Sequence, residues 1–136
     1  MKYLIIILTL IASAMAQAEI AVIVSSDSPI TAADVKALER VYLGKANQID
    51  GKDVEVINQG DGEAVTTEFN RVVLNKSNSQ VKAYWSKLVF TGKGSPPNTV
   101  NNDAEVIAAV KADPRLVGYI DSAAVTPDVK VVATLK

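Results

Sequence analysis

VEVINQGDGEAVTTEF, Val54 to Phe69, contains a change of hydrophobic period within sixteen residues. Val54 to Ile57 reads as a strand, and Asn58 to Gly62 (NQGDG) as a glycine-containing loop. Val65, Phe69, Val72 and Val73 then fall on one side of a helix. A strand that runs through a polar glycine loop into a helix is the repeating unit of α/β folds.

The flanking sequence repeats the alternation. Upstream, Ile20 to Val24 (IAVIV) is a continuous apolar run of the kind a buried strand shows. Ser25 to Pro29 breaks it. Thr31 is the expected cap of a helix, with Asp34 three residues later as an imperfect capping box. Val35, Leu38, Val41 and Tyr42 form that helix's apolar face, and Gly44 is placed to end it. Asn47 to Lys52 reads as a turn centred on Asp50-Gly51.

Downstream, Asn75 to Ser79 interrupts the helix begun at Val65. Ser79 is the expected cap of another helix, faced by Val81, Tyr84, Trp85, Leu88 and Val89. Thr91 to Pro97 (TGKGSPP) is too rich in glycine and proline for regular structure. Asn101 or Asn102 caps a short helix with the face Ala104, Ile107, Ala108 and Val110, which Pro114 stops. Leu116 to Ile120 (LVGYI) and Val129 to Leu135 are two more strands, the last expected at an edge. The reading is an α/β domain of about four strands and four helices, with no internal repeat.

The first 18 residues read as a cleavable export signal. Lys2 supplies the positive end, Leu4 to Ala12 the apolar stretch, and Ala14-Met15-Ala16 or Ala16-Gln17-Ala18 the small-residue cleavage pattern. Cleavage after Ala18 leaves a single domain, residues 19–136, with a periplasmic destination. No cysteine follows the apolar stretch for lipid attachment, so no membrane insertion is expected after cleavage.

Composition narrows the chemistry. Residues 19–136 carry 13 basic against 15 acidic side chains, which argues against a nucleic-acid partner. The absence of histidine and cysteine removes the commonest general base, the commonest metal ligands and any disulfide framework. No nucleophile has a visible base, and no carboxylates show metal spacing. Asp61 and Glu63 read as solvated loop carboxylates. The expectation is a non-enzymatic protein with no cofactor and no bound metal.

Open α/β sheets bind ligands beyond the carboxyl ends of their strands. Three polar segments follow strands here: Ser25, Ser26 and Ser28; Asn58, Gln59, Asp61, Glu63 and Thr66; and Asp121 with Ser122. The same residue types also cap helices and make turns. Thr91-Gly92-Lys93-Gly94 exposes amides beside a charge but lacks the full spacing of a nucleotide-phosphate loop.

The order of these pieces resembles one lobe of the phosphate-binding proteins of ABC transporters. The likeness runs through IAVIV, VYLGK (Val41 to Lys45), VEVINQGDGEAVTTEF and VGYI (Val117 to Ile120). AYWSKLVFTGKGSPP (Ala83 to Pro97) resembles a group of short secreted phosphate transporter substrate-binding-like proteins. The resemblance implies a single three-layer lobe of the type II periplasmic-binding-protein-like fold. It also implies an anion loop of pattern Arg-x-Asp-Gly-Ser-Gly-Thr-Thr, which falls on Gln59 to Thr66. Asp61, Gly62 and Thr66 agree, and Phe69 matches the family's aromatic residue. Gln59 stands at the arginine's place, and Glu63 and Val65 at those of hydroxyl donors. The exchanges remove a bidentate cation and two donors and add a negative charge that can occupy the helix end.

The resulting expectation is a periplasmic solute-binding-like protein for phosphate or another small anion, held weakly. Its ligand residues would be Ser25, Ser26, Ser28, Gln59, Asp61, Gly62, Glu63 and Thr66. The alternative is an interaction module that docks onto a periplasmic sensor or envelope protein.

Overall fold

The computed structural model describes residues 19–136; the export signal expected over residues 1–18 lies outside the described residues. Five strands form one sheet in the order β5-β4-β6-β1-β7. These are β1 (Ile20–Ser25), β4 (Glu55–Gln59), β5 (Asn98–Val100), β6 (Leu116–Asp121) and β7 (Val129–Leu135). A separate two-stranded ribbon, β2 (Gln48–Ile49) and β3 (Lys52–Asp53), turns at Asp50-Gly51. Both turn residues have positive φ, 52° and 75°, as a two-residue hairpin requires.

Four α-helices cover the sheet: α1 (Val35–Tyr42), α2 (Ala64–Phe69), α3 (Asn78–Phe90) and α4 (Asp103–Ala112). The expected α/β lobe with four helices is the one found. The short ribbon and β5 are additions, in stretches that read from sequence as turn and loop. No helix among the described residues is long and apolar enough to cross a membrane.

Alternation along β1 separates two cores. Ile20, Val22 and Val24 pack with Leu38, Tyr42, Phe69, Val73 and Tyr119 beneath α1 and α2. Ala21 and Ile23 pack with Ile57, Val106, Val110 and Ile120 beneath α4. Strand β1 is buried along its whole length because both faces are covered. The inward residues of α4 are therefore Val106 and Val110, whereas Ala104 and Ala108, expected inward, are exposed. The small alanines fit either side of a short helix, so periodicity alone did not rank the two faces.

Local capping corrects two more expectations. Asp34, not Thr31, caps α1, its Oδ1 accepting from the Ala37 amide at 2.7 Å. Ser77, not Ser79, caps α3 in a reciprocal box with Gln80. Between α2 and α3 the helix widens into a π-helical turn, Asn70–Leu74, and stops at Asn75 in the left-handed region. At the end of α1, Gly44 has φ 72°, and a Cβ there would lie 3.0 Å from the Trp85 ring, so this glycine both turns the chain and admits α3.

Strand direction decides what can meet. β4 runs parallel to β5 and β6, whereas β1 runs antiparallel to both β6 and β7. Ile20 lies opposite Asp121, and Val24 opposite Val117, which in turn pairs with Val56 near the start of β4. The carboxyl end of β1 is thus at the sheet edge where β4 and β6 begin.

Candidate functional site: a polar cavity at the carboxyl end of β4

β4 and β6 pair only through Glu55–Leu116 and Val56–Val117, and then separate. Side chains fill the opening in place of ladder bonds. Tyr42 is fully buried, and its hydroxyl shares its proton between the carbonyls of Ile57 at 2.9 Å and Val117 at 3.2 Å. Burial, with a smaller contribution from Tyr119, pushes the Tyr42 phenol well above its ordinary range. One residue pair further on, Tyr119 Oη donates to Asn58 Oδ1 at 2.6 Å and accepts from the Gln59 amide at 3.3 Å. Its pKa is raised chiefly by burial. Phe69 stacks on Tyr119 with centroids 3.9 Å apart and meets Tyr42 edge-on at 4.6 Å. The aromatic trio forms the floor behind the parting strands.

At the carboxyl end of β4 lies a cavity of about 270 Å³. Asn58, Gln59, Gly60, Asp61 and Thr66 line it, together with Asn70, Asn78, Val81, Lys82 and Thr99. Gln59 is only 3 % exposed. It is the last residue of β4 rather than a loop residue, which is why its side chain lies between strand and helix. Its Nε2 donates to Asp103 Oδ1 at 2.7 Å and to the Tyr119 carbonyl at 2.8 Å. Its Oε1 is buried and meets no donor among the described residues. Both amide hydrogens are therefore committed to the scaffold, and this position cannot donate to an anion as an arginine would.

The loop itself is closed by its own groups. Thr66 Oγ1 donates to the Gly60 carbonyl at 2.8 Å, and the Glu63 amide donates to the same oxygen at 3.1 Å. Asn78 donates to Thr67 Oγ1 at 2.9 Å and to the Asp61 carbonyl at 3.2 Å, and accepts from Asn70 at 2.9 Å. The amides of Asp61, Gly62, Ala64 and Val65 make no hydrogen bond among the described residues. Lys82 and Asp61 are the charged side chains on the lining, one of each sign.

The expected ligand residues divide into two groups. Gln59, Asp61 and Thr66 share the cavity, while Gly62 and Glu63 sit beside it, exposed and off its lining. Glu63 makes no side-chain bond to the helix end, so it does not occupy that end as its charge led one to expect. Ser25, Ser26 and Ser28 do not join them, because antiparallel β1 delivers them to the opposite sheet edge. There Ser25 Oγ accepts from the Asp27 amide, and Ser28 Oγ from the Ile30 amide, so both hydroxyls shape a turn. Asp121 likewise caps the short turn Ser122–Ala124 through the Ala123 amide.

Asn70, Asn78, Lys82 and Thr99 were not foreseen as site residues. Asn70, which the structure buries, carried one legible signal: it is a polar residue beside Phe69, four residues from Thr66 on the same helical stretch. The others come from α3 and β5, which only tertiary packing brings to this edge.

No protein-family model matches the chain, and no curated protein matches it. Solved structures do. The fold is that of one lobe of a phosphate-binding protein. A candidate phosphate ABC transporter substrate-binding protein with bound phosphate, from Clostridium perfringens, aligns at TM-score 0.66 and 16 % identity, over 85 % of this chain and 45 % of that one. An ABC-type phosphate transport receptor from Vibrio cholerae gives 0.63 and 19 %, over 85 % and 46 %. PstS from Borrelia burgdorferi gives 0.61 and 16 %, over 85 % and 47 %. The chain spans about half the length of each phosphate-binding structure it matches. The likeness is thus one of backbone fold, at 16–19 % sequence identity.

Proposed function

We propose that this is a periplasmic solute-binding-like domain whose cavity takes a small anion of the phosphate type, weakly and without catalysis. The observation that carries the reading is the polar cavity at the carboxyl end of β4, with Asp61, whose amide is unbonded, and Lys82 on its lining. Ligands of open α/β sheets sit in this place. The fold likeness to phosphate-binding and phosphate-transport proteins supports both the ligand class and the non-enzymatic reading. The export signal read over residues 1–18 supports the compartment.

Weak binding follows from the committed donors. Replacing a bidentate arginine by Gln59 removes two charge-assisted hydrogen bonds, each about 1.5–3 kcal/mol, or about 10²- to 10⁴-fold in affinity together. Asp61 on the lining opposes an anion further. Calorimetry of the protein with phosphate, sulfate and small carboxylates tests the reading. Heat at millimolar ligand that disappears in Lys82→Glu, an exposed position, is the expected result. No heat with any of these anions, or binding indifferent to Lys82→Glu, rejects the reading.

A further inference from the structure

Helix α3 is the longest helix among the described residues, yet Trp85 is its only buried side chain. Its outer side and the following loop form a groove of about 500 Å³, lined by Lys82, Trp85, Ser86, Val89, Phe90 and Pro96. Phe90 is 93 % exposed and Val89 54 %. Scattered apolar side chains on a surface are ordinary, but an aromatic ring and a valine standing beside a concave apolar wall form a contiguous patch.

The stretch of chain that builds this groove carries charge of one sign. Between Glu68 and Asp103 the chain carries Arg71, Lys76, Lys82, Lys87 and Lys93 and no acidic residue. Arg71 is paired with Glu68, whereas Lys82, Lys87 and Lys93 form no ion pair among the described residues. The rest of residues 19–136 holds 8 basic against 15 acidic side chains. The stretch that builds the groove thus carries lysines and no carboxylate, and one of them, Lys82, lines the groove itself.

We propose that the α3 groove docks an acidic protein segment bearing an aromatic or branched aliphatic anchor side chain. The groove is shallow and apolar, with room for an anchor side chain and its neighbours, and Lys82 on its lining, with Lys87 and Lys93 in the same stretch, favours acidic residues beside that anchor. A two-fold pairing of this face with itself would set lysines against lysines, so a second copy is the poorer occupant. Lys82 lines both the groove and the polar cavity, so the docked segment stands beside the cavity mouth. The proposal holds whether or not that cavity takes a solute.

A random peptide library of about twelve residues, selected on the immobilised protein, tests the proposal. A selected sequence free of tryptophan is then titrated while the emission of Trp85, the chain's sole tryptophan, is followed. The expected winners carry a net negative charge and at least one aromatic or branched aliphatic residue, and their binding weakens with salt. Phe90→Ser, and separately Lys87→Glu with Lys93→Glu, should each weaken binding about tenfold or more. No enrichment, enrichment without acidic bias, or affinity unchanged in Phe90→Ser overturns the proposal. Phe90-dependent binding to phosphatidylglycerol vesicles in the absence of selected peptides would replace the protein segment with a membrane surface. A Phe90-dependent dimer in sedimentation velocity would replace it with a second copy.

Discussion

Gly118→Ala is the smallest change that tests how the α4 layer is held against the sheet. Gly118 lies in β6, next to Tyr119, and faces α4. A Cβ there would stand 2.5 Å from Val106 Cγ1 and 3.2 Å from Ile57 Cγ1. Real Cβ atoms do not approach so closely, and Val106 is fully buried, so it cannot swing into solvent. Helix α4 must therefore move outward or Val106 must leave its rotamer. Overpacking of this kind costs about 1–3 kcal/mol. With a urea slope of about 2 kcal/mol per molar, the midpoint should fall by about 0.5–1.5 M. The decisive arm is a double-mutant cycle. Val106→Ala alone leaves a cavity and costs about 2 kcal/mol, but it removes the methyl that the added Cβ would strike. Gly118→Ala should then cost less in that background, where only the milder approach to Ile57 remains, a coupling of about 1–2 kcal/mol. An equal cost of Gly118→Ala in both backgrounds would refute the steric account. The site shares the consequence, because Asp103, which orients Gln59, opens the same helix.

Two further outcomes follow from the hydrogen bonds. Tyr42→Phe strips the shared donor from the Ile57 and Val117 carbonyls and should lower unfolding free energy by about 1–3 kcal/mol in urea titrations. Since the folded pKa of Tyr42 is raised above the ordinary 10.0, its contribution is present below pH 10 and is lost as pH rises beyond it; Tyr42→Phe should flatten that alkaline loss. Asp128, hydrogen-bonded first by Lys111 and then by Thr126, has its carboxyl lowered from 3.8 to about 2. Its contribution is complete above pH 3.8 and disappears as pH falls toward 2. In Lys111→Gln, carbon NMR should show the Asp128 midpoint rising toward 3.8, and an unmoved midpoint would discount the Lys111 contact.

What the sequence alone determined was local. The apolar run Ile20 to Val24, the turn at Asp50-Gly51, the loop-to-helix step after β4 and a cap at Asn101 or Asn102 are all set by neighbours a few residues apart. Such periodicities and caps need no knowledge of the rest of the chain. The same holds for Gln59, Asp61 and Thr66, which share a cavity because one loop carries them. Strand direction is different. Nothing in the residues of β1 says that it runs against β6, and that single fact sends Ser25, Ser26 and Ser28 to the far edge of the sheet. Only tertiary structure decided this, because direction is fixed by hydrogen bonds between strands far apart in the chain. Asn78, Lys82 and Thr99 reach the cavity for the same reason, as does the openness of Phe90. An apolar side chain on a helix reads as core until the surface that fails to cover it is seen.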